Sequence, residues 1–305
     1  MRINALFVLI LSLTLAACGG KSPSSPTTEP TATPTPSAQT VSVRVFSGWD
    51  DMPISGGASI ATPAGRVTTS ASGEVSVSLR SGDAVDVSAP GHRDYNTVYR
   101  GENPWNVYLW NTTVVSGEYI DALVYNEWVP GRRLSRPAAG NVGLAPSAEI
   151  SADAQAMNVI NACAGEMTTA TQRASVSVGG AGVQFALLID PALAGVASGS
   201  TGNTFSGNIV SASRIRFVGT VIFSLNVPCH EIGHGLGLGH SVSPDDIMRG
   251  DRVITRQTLS ASERYILRMM FRRRPGTSAP DNDRDVTAAL STTHSVVEID
   301  CPLSH

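Results

Sequence analysis

The sequence predicts an α+β protein, a small all-β sandwich followed by a larger region in which strands and helices mix. Three observations predict it. Between Val41 and Val115, short runs alternate apolar and polar residues between turn signals. Between about Ala152 and Ala170, apolar residues recur at three- and four-residue steps. From His230 to His240, a glycine-punctuated stretch carries three of the six histidines of the 305-residue chain.

The chain opens on Arg2, then an apolar run from Ala5 to Leu15, then Leu15-Ala16-Ala17-Cys18. A positive start, a short apolar core and small residues before a cut are the marks of an export signal over residues 1–17. Leu-Ala-Ala-Cys is similar to a bacterial lipobox. That resemblance implies that Cys18 is lipidated and anchors the mature chain to a membrane, with the folded part outside the cytoplasm. Gly19 is not the aspartate that favours inner-membrane retention, so an outer-membrane or surface location is expected. Residues 18–40 are rich in Pro, Ser and Thr and nearly devoid of apolar side chains, as suits a flexible tether.

Residues 41–115 are expected to form the sandwich. Val41, Val43 and Val45 alternate with polar residues, as do Val75, Val77 and Leu79, then Val85 and Val87. The order of turns and strands here resembles carboxypeptidase regulatory-like modules. Trp105, Tyr108 and Trp110 at the end of this segment are expected to cap a core or pack on the next domain; an exposed sugar or protein contact is the alternative.

Residues 116–275 are expected to form the second domain and 276–305 a polar tail, in which Val296-Val297-Glu298-Ile299 offers one further strand. Ala122-Leu123-Val124-Tyr125 reads as a strand and Arg132 to Ala148 as a loop. Ile150, Met157, Ile160, Ala164 and Met167 then line one face of a long helix. Val176 to Val178 and Val183 to Ile189 read as strands. Ala192 to Asn208 is small and Gly-rich and reads as a mobile loop. Ser260 with Glu263 makes a capping box for a last helix reaching about Arg272, whose Arg268, Arg272, Arg273 and Arg274 read as a solvated basic end.

The chemistry is concentrated in His230-Glu231-Ile232-Gly233-His234-Gly235-Leu236-Gly237-Leu238-Gly239-His240. His230 and His234, four apart on a helix, face the same way. Pro228 is tolerated only in a first helical turn, so this helix is expected from Asn226 or Val227 to Gly237; a start near Thr220 with a kink is the alternative. Gly237 permits a left-handed turn that brings His240 back to the pair. Three neutral imidazoles with an open fourth position suit a catalytic zinc ion, and Glu231 suits a general base that is not itself a ligand.

This run matches the extended pattern H-E-x-x-H-x-x-G-x-x-H and resembles the metzincin metalloproteases. Ser241 after the third histidine, Pro244, and Ile247-Met248 resemble the matrixin branch, in which Met248 would form the apolar floor beneath the metal. Gly250 stands where astacin- and serralysin-like enzymes carry a tyrosine. The resemblance implies a metzincin-type domain, a twisted sheet with three main helices. It implies one Zn2+ on His230, His234 and His240, Glu231 as base, and protein or peptide substrates lying along an edge strand. Structural Ca2+ occurs in related proteases, but no calcium-loop spacing is visible.

Net charge is −3, which argues against a nucleic-acid partner. Cys163, Cys229 and Cys301 remain after Cys18 and allow three single bridges. Cys163–Cys301 is the expected pair, tying the long helix to the tail. Cys229 is one helical step from His230 and is expected to point away from the metal. With no cysteine between Cys18 and Cys163, an N-terminal cysteine that holds the metal latent is excluded. A surface-anchored binding protein with an inactive metal site is the rival reading; a zinc scavenger is disfavoured because no His-rich tract exists. Nothing in the sequence sets an oligomeric state or a cleavage preference.

Overall fold

The computed structural model describes residues 37–302 apart from 56, 126–127, 130, 139, 221–222, 224–225, 252–255, 257, 285 and 287–293. The expected export signal, Cys18 and most of the expected tether lie outside the described residues. Within the compact unit Pro36–His305, the architecture is α+β, with three sheets and five α-helices among the described residues. No helix among these residues is long and apolar enough to cross a membrane.

Seven strands come first: β1 (Gln39–Ser47), β2 (Ser59–Thr62), β3 (Gly65–Thr68), β4 (Glu74–Leu79), β5 (Ala84–Ser88), β6 (Tyr95–Val98) and β7 (Trp105–Leu109). They form two sheets, ordered β4-β1-β7 and β3-β2-β5-β6. The alternation read from the sequence is the alternation of burial. Val41, Val43 and Val45 are buried together with Ile60, Leu79, Val85, Val87 and Leu109, while their neighbours face outward. Trp105 and Trp110 are buried, and Trp110 lies edge-on to Tyr265 with ring centroids 5.6 Å apart, so the aromatic cluster is packing.

The expected strand at Ala122 to Tyr125 is instead the end of helix α1 (Gly117–Val124). Ser116 caps it, its hydroxyl accepting from Tyr119 N at 3.2 Å. Tyr119, Ile120, Leu123 and Val124 are spaced to bury one helical face, a period that a four-residue apolar run does not reveal. The stretch expected as a loop holds β8 (Arg136–Pro137) and β9 (Asn141–Pro146). Helix α2 (Ala148–Ala152) and helix α3 (Ala154–Thr171) follow, parted at Asp153, whose carboxylate caps α3 by accepting from Ala156 N. Then come β10 (Ser175–Val178), β11 (Val183–Ile189), a short 3-10 turn, β12 (Ala197–Ser206), β13 (Ile209–Phe217), helices α4 (Val227–Gly235) and α5 (Ala261–Arg272), and β14 (His294–Pro302).

These strands build one twisted sheet in the order β10-β9-β11-β13-β12-β14. Strands β9, β10, β11 and β13 are parallel; β12 runs antiparallel to β13, and β14 antiparallel to β12. Strand β12 corrects the expected mobile loop. Its sequence, Ala-Ser-Gly-Ser-Thr-Gly-Asn-Thr-Phe-Ser, has no apolar alternation, yet its first seven residues are buried because a strand pairs on each side and α4 packs on it. Small side chains are what that close approach of a helix requires.

The cysteines are paired differently from the expectation. Cys163 on α3 is bridged to Cys229 on α4, and Cys301 lies elsewhere, on β14. The reason is helical geometry. Cys229 precedes His230 by one step, about 100° around the axis, so it faces α3 while His230 faces away. The bridge closes a 66-residue separation. In a chain-entropy estimate, replacing both cysteines by serine costs about 4 kcal/mol, to be read from urea unfolding of the variant against the parent.

The basic end of α5 is not a solvated face. Arg268 donates to the carbonyls of Gly48 (2.7 Å) and Trp49, and Arg272 pairs with Asp51 at 2.6 Å while stacking on Tyr108. Arg273 is buried against Asp281 and donates to the Tyr108 carbonyl. Through these side chains α5 joins the β-sandwich to the mixed sheet.

Candidate metal centre

Helix α4 begins where Pro228 requires, with Asn226 at its N-cap and the proline in its first turn. His230 and His234 lie one turn apart, buried, with ring centroids 4.5 Å apart. The helix ends before Gly237, whose φ is +99°. A Cβ there would sit 1.8 Å from the Ser135 carbonyl oxygen, so only glycine makes this turn. The chain then returns His240 to the other two, at centroid distances of 5.4 Å and 4.8 Å.

Backbone carbonyls orient two of the rings. His230 Nδ1 donates to Ile247 O at 2.6 Å, and His234 Nδ1 to Leu238 O at 2.8 Å. Those bonds fix the proton on Nδ1 and leave both Nε2 atoms, 2.9 Å apart, with lone pairs turned inward. Burial pushes His230 and His240 down to about 4, and His234 well below its ordinary value with added repulsion from the other two rings. All three imidazoles are therefore neutral near pH 7, the form that ligates a metal.

The fourth position is filled by the protein. Cys301 Sγ lies 2.9 Å from His230 Nε2, 3.6 Å from His234 Nε2 and 3.8 Å from His240 Nε2. The four ligating atoms lie within 4.8 Å of one another, in a cluster that can hold a metal ion, and it is the single such group among the described residues. This corrects the open fourth position expected from the histidines alone. The cysteine excluded upstream of the site arrives from the C-terminal side. A set of three nitrogens and one sulfur, buried except for a half-buried His240, fits a tetrahedral N/S ion such as zinc.

The surroundings hold the cluster in shape. Glu231 is fully buried and accepts from Thr201 Oγ1 of β12 at 2.6 Å; Asn203 Nδ2 of the same strand donates to His234 O at 2.8 Å. Met248 is buried, with its sulfur so close to Gly233 that a Cβ there would stand 2.5 Å from it. The loop from Ser241 to Met248 is closed by Ser241 N donating to Met248 O at 2.7 Å and by Ser241 Oγ donating to Asp246. Trp128, half-buried, presents its ring at right angles to His240 with centroids 4.8 Å apart.

No protein-family model matches this chain. A search of curated proteins also returns no match.

Of the described residues singled out from sequence for this site, His230, Glu231, His234, Gly237, His240 and Met248 converge here, while Cys163 is bridged to Cys229. Two residues were missed. Trp128 carries no local signal, being one aromatic residue in a loop. Cys301 was expected in a bridge rather than at the metal; its one signal is its place beside an apolar run able to add a strand.

Gly250 is a further constraint. A Cβ at this position would lie 2.4 Å from His240 Nδ1, so the glycine allows the ring its place. Gly250→Ala is expected to weaken metal affinity about tenfold or more, as losses beside a ligand do. Competition with a chromophoric chelator reads this directly, and an unchanged constant counts against it.

Proposed function

We propose that this chain is a zinc-dependent endopeptidase of metzincin type, matrixin-like, exported and held to a bacterial membrane by lipid on Cys18. The observation that carries this reading is the convergence of three neutral imidazoles, two from α4 and one returned by the Gly237 turn, with Glu231 buried beside the first. Met248 beneath Gly233 and the α4–β12 packing fit the same reading, as does a largely parallel sheet ending in an antiparallel strand.

His230, His234 and His240 would hold the ion. Bound there, zinc would supply a Lewis acid that acidifies water and polarises a scissile carbonyl. Glu231 takes the proton as water attacks and returns it to the departing amine. Thr201 fixes the Glu231 carboxylate through the hydrogen bond to Oε2. The substrate is an extended segment of an envelope or extracellular protein, paired through its backbone to β12.

A second reading has one observation behind it. Closed four-ligand sites are the mark of structural zinc. On that reading Cys301 completes a permanent site in a surface binding protein, and the β-sandwich does the work. Casein cleavage with and without a zinc chelator, by the intact chain and by Cys301→Ser, separates the two. Chelator-sensitive cleavage by either form supports the peptidase. Its absence from both, with zinc bound, supports the structural site.

A further inference from the structure

Strand β14 does two things at once. It runs antiparallel along β12, pairing Ile299 with Thr201 and Glu298 with Gly202, and it carries Cys301, opposite Gly199, into the middle of the three Nε2 atoms. Without β14, β12 would be the edge of this sheet. We propose that β14 is an internal substrate mimic that keeps the site closed, its backbone filling the strand position of an extended peptide and the Cys301 thiolate filling the fourth ligand position. The proposal rests on the peptidase reading above and adds how that site is controlled.

Three features favour a removable plug over a permanent part of the fold. First, β14 is the outermost strand and buries little. Among its described side chains, Val296 is 65% exposed, Ile299 and Cys301 are buried, Val297 packs partly on the core, and Glu298 meets Arg216 at 2.9 Å on an exposed flank. Elements held by a backbone ladder and few apolar contacts open at low cost. Second, the strand it covers is Gly, Ser, Thr and Asn from Ser198 to Thr204, so β12 offers an arriving chain mainly backbone N–H and C=O groups, which any extended sequence can use. Third, the side-chain geometry beneath the strand is held from α4: Thr201 Oγ1 donates to the Glu231 carbonyl and to its carboxylate. Lifting β14 therefore exposes an assembled site. With a metal bound, the departing Cys301 thiolate would take a proton from solvent and water would take its ligand position, so no oxidant or reductant is needed.

The test uses the full chain loaded with cobalt(II) in place of zinc, the Cys301→Ser variant loaded the same way, and, as a second opened form, a chain truncated after residue 293. The intact protein is expected to show a thiolate-to-cobalt charge-transfer band in the near ultraviolet. Cys301→Ser should keep one bound metal and lose the band. A peptide hydroxamate, which needs both the metal and the β12 edge, should bind the two opened forms about 100-fold or more tighter than the intact chain, since an internal strand competes at an effective concentration on the order of mM. Absence of the band from the intact protein, or equal hydroxamate affinity in all three, overturns the proposal. Neither readout needs turnover, so opened forms that bind hydroxamate but cleave no peptide would refute the endopeptidase reading alone.

Discussion

Glu231→Ala, placed in the Cys301→Ser background, is expected to retain its zinc and to lose peptide hydrolysis by about 10²- to 10⁴-fold, the usual weight of a positioned general base. The expectation follows from where the carboxylate stands. It is next to a ligand in sequence but is not in the ligand cluster, so removing it leaves three histidines and their carbonyl partners untouched. What disappears is the proton acceptor. The background matters, because in the intact chain Cys301 fills the fourth position and hydrolysis would be low for a different reason. Zinc content by atomic absorption and turnover of a quenched peptide are the two measurements. Turnover that survives in Glu231→Ala would remove this residue from the mechanism; loss of zinc would make it a structural support. Thr201→Val is a useful companion. It removes the 2.6 Å bond that orients the carboxylate and should lower turnover less than Glu231→Ala, without changing zinc content.

The metal helix was legible in the sequence because its logic is local. Histidines four apart, a proline confined to the first turn and a glycine at the reversal each act within a few residues, and the structure has all three where spacing put them. The capping box of Ser260 and Glu263 is local in the same sense and is formed on both sides. The alternating valines of the sandwich were legible because one face of each strand is wet.

What stayed hidden depends on partners far along the chain. Strand β12 is polar and glycine-rich, and becomes a strand only because β13, β14 and α4 enclose it. Helix α1 was misread from four apolar residues, whose period is ambiguous until the Ser116 cap is counted. The cysteine pairing failed for the same reason. Three thiols are equivalent in sequence, and only the packing of α3 against α4 brings Cys163 within bridging distance of Cys229. Cys301 is the costliest omission, since it changes the site from open to closed. The rule used to exclude a latency cysteine looked upstream of the catalytic region, and a strand from downstream reaches the same point in space.

Arg273→Ala is expected to destabilise the folded chain by about 3–5 kcal/mol, the cost of leaving a buried charge without its partner. Arg273 is 3% exposed and Asp281 fully buried, with Arg273 Nη2 2.7 Å and Nε 2.8 Å from the carboxylate. Burial works against the guanidinium, but Asp281 outweighs it and holds the group above its ordinary value, while burial pushes the Asp281 carboxyl up against the pull of Arg273. The same guanidinium donates to the Tyr108 carbonyl and stacks 4.0 Å from the centre of the Tyr95 ring, both on the sandwich, while its backbone caps α5. One side chain thus closes the end of α5 and fastens the sandwich to it. A double variant, Arg273→Met with Asp281→Leu, separates charge from docking. If the loss in Arg273→Ala comes from the orphaned Asp281, the double variant should recover most of it in urea unfolding, since apolar replacement of both partners is often neutral. If it comes from docking, the double variant should stay destabilised, because the bond to Tyr108 and the stack on Tyr95 are gone in both. Zinc affinity should be unchanged in either case. The Ser260–Glu263 box that meets the Met248 amide lies at the opposite end of α5, about 17 Å away by helical rise, and that end touches the metal loop.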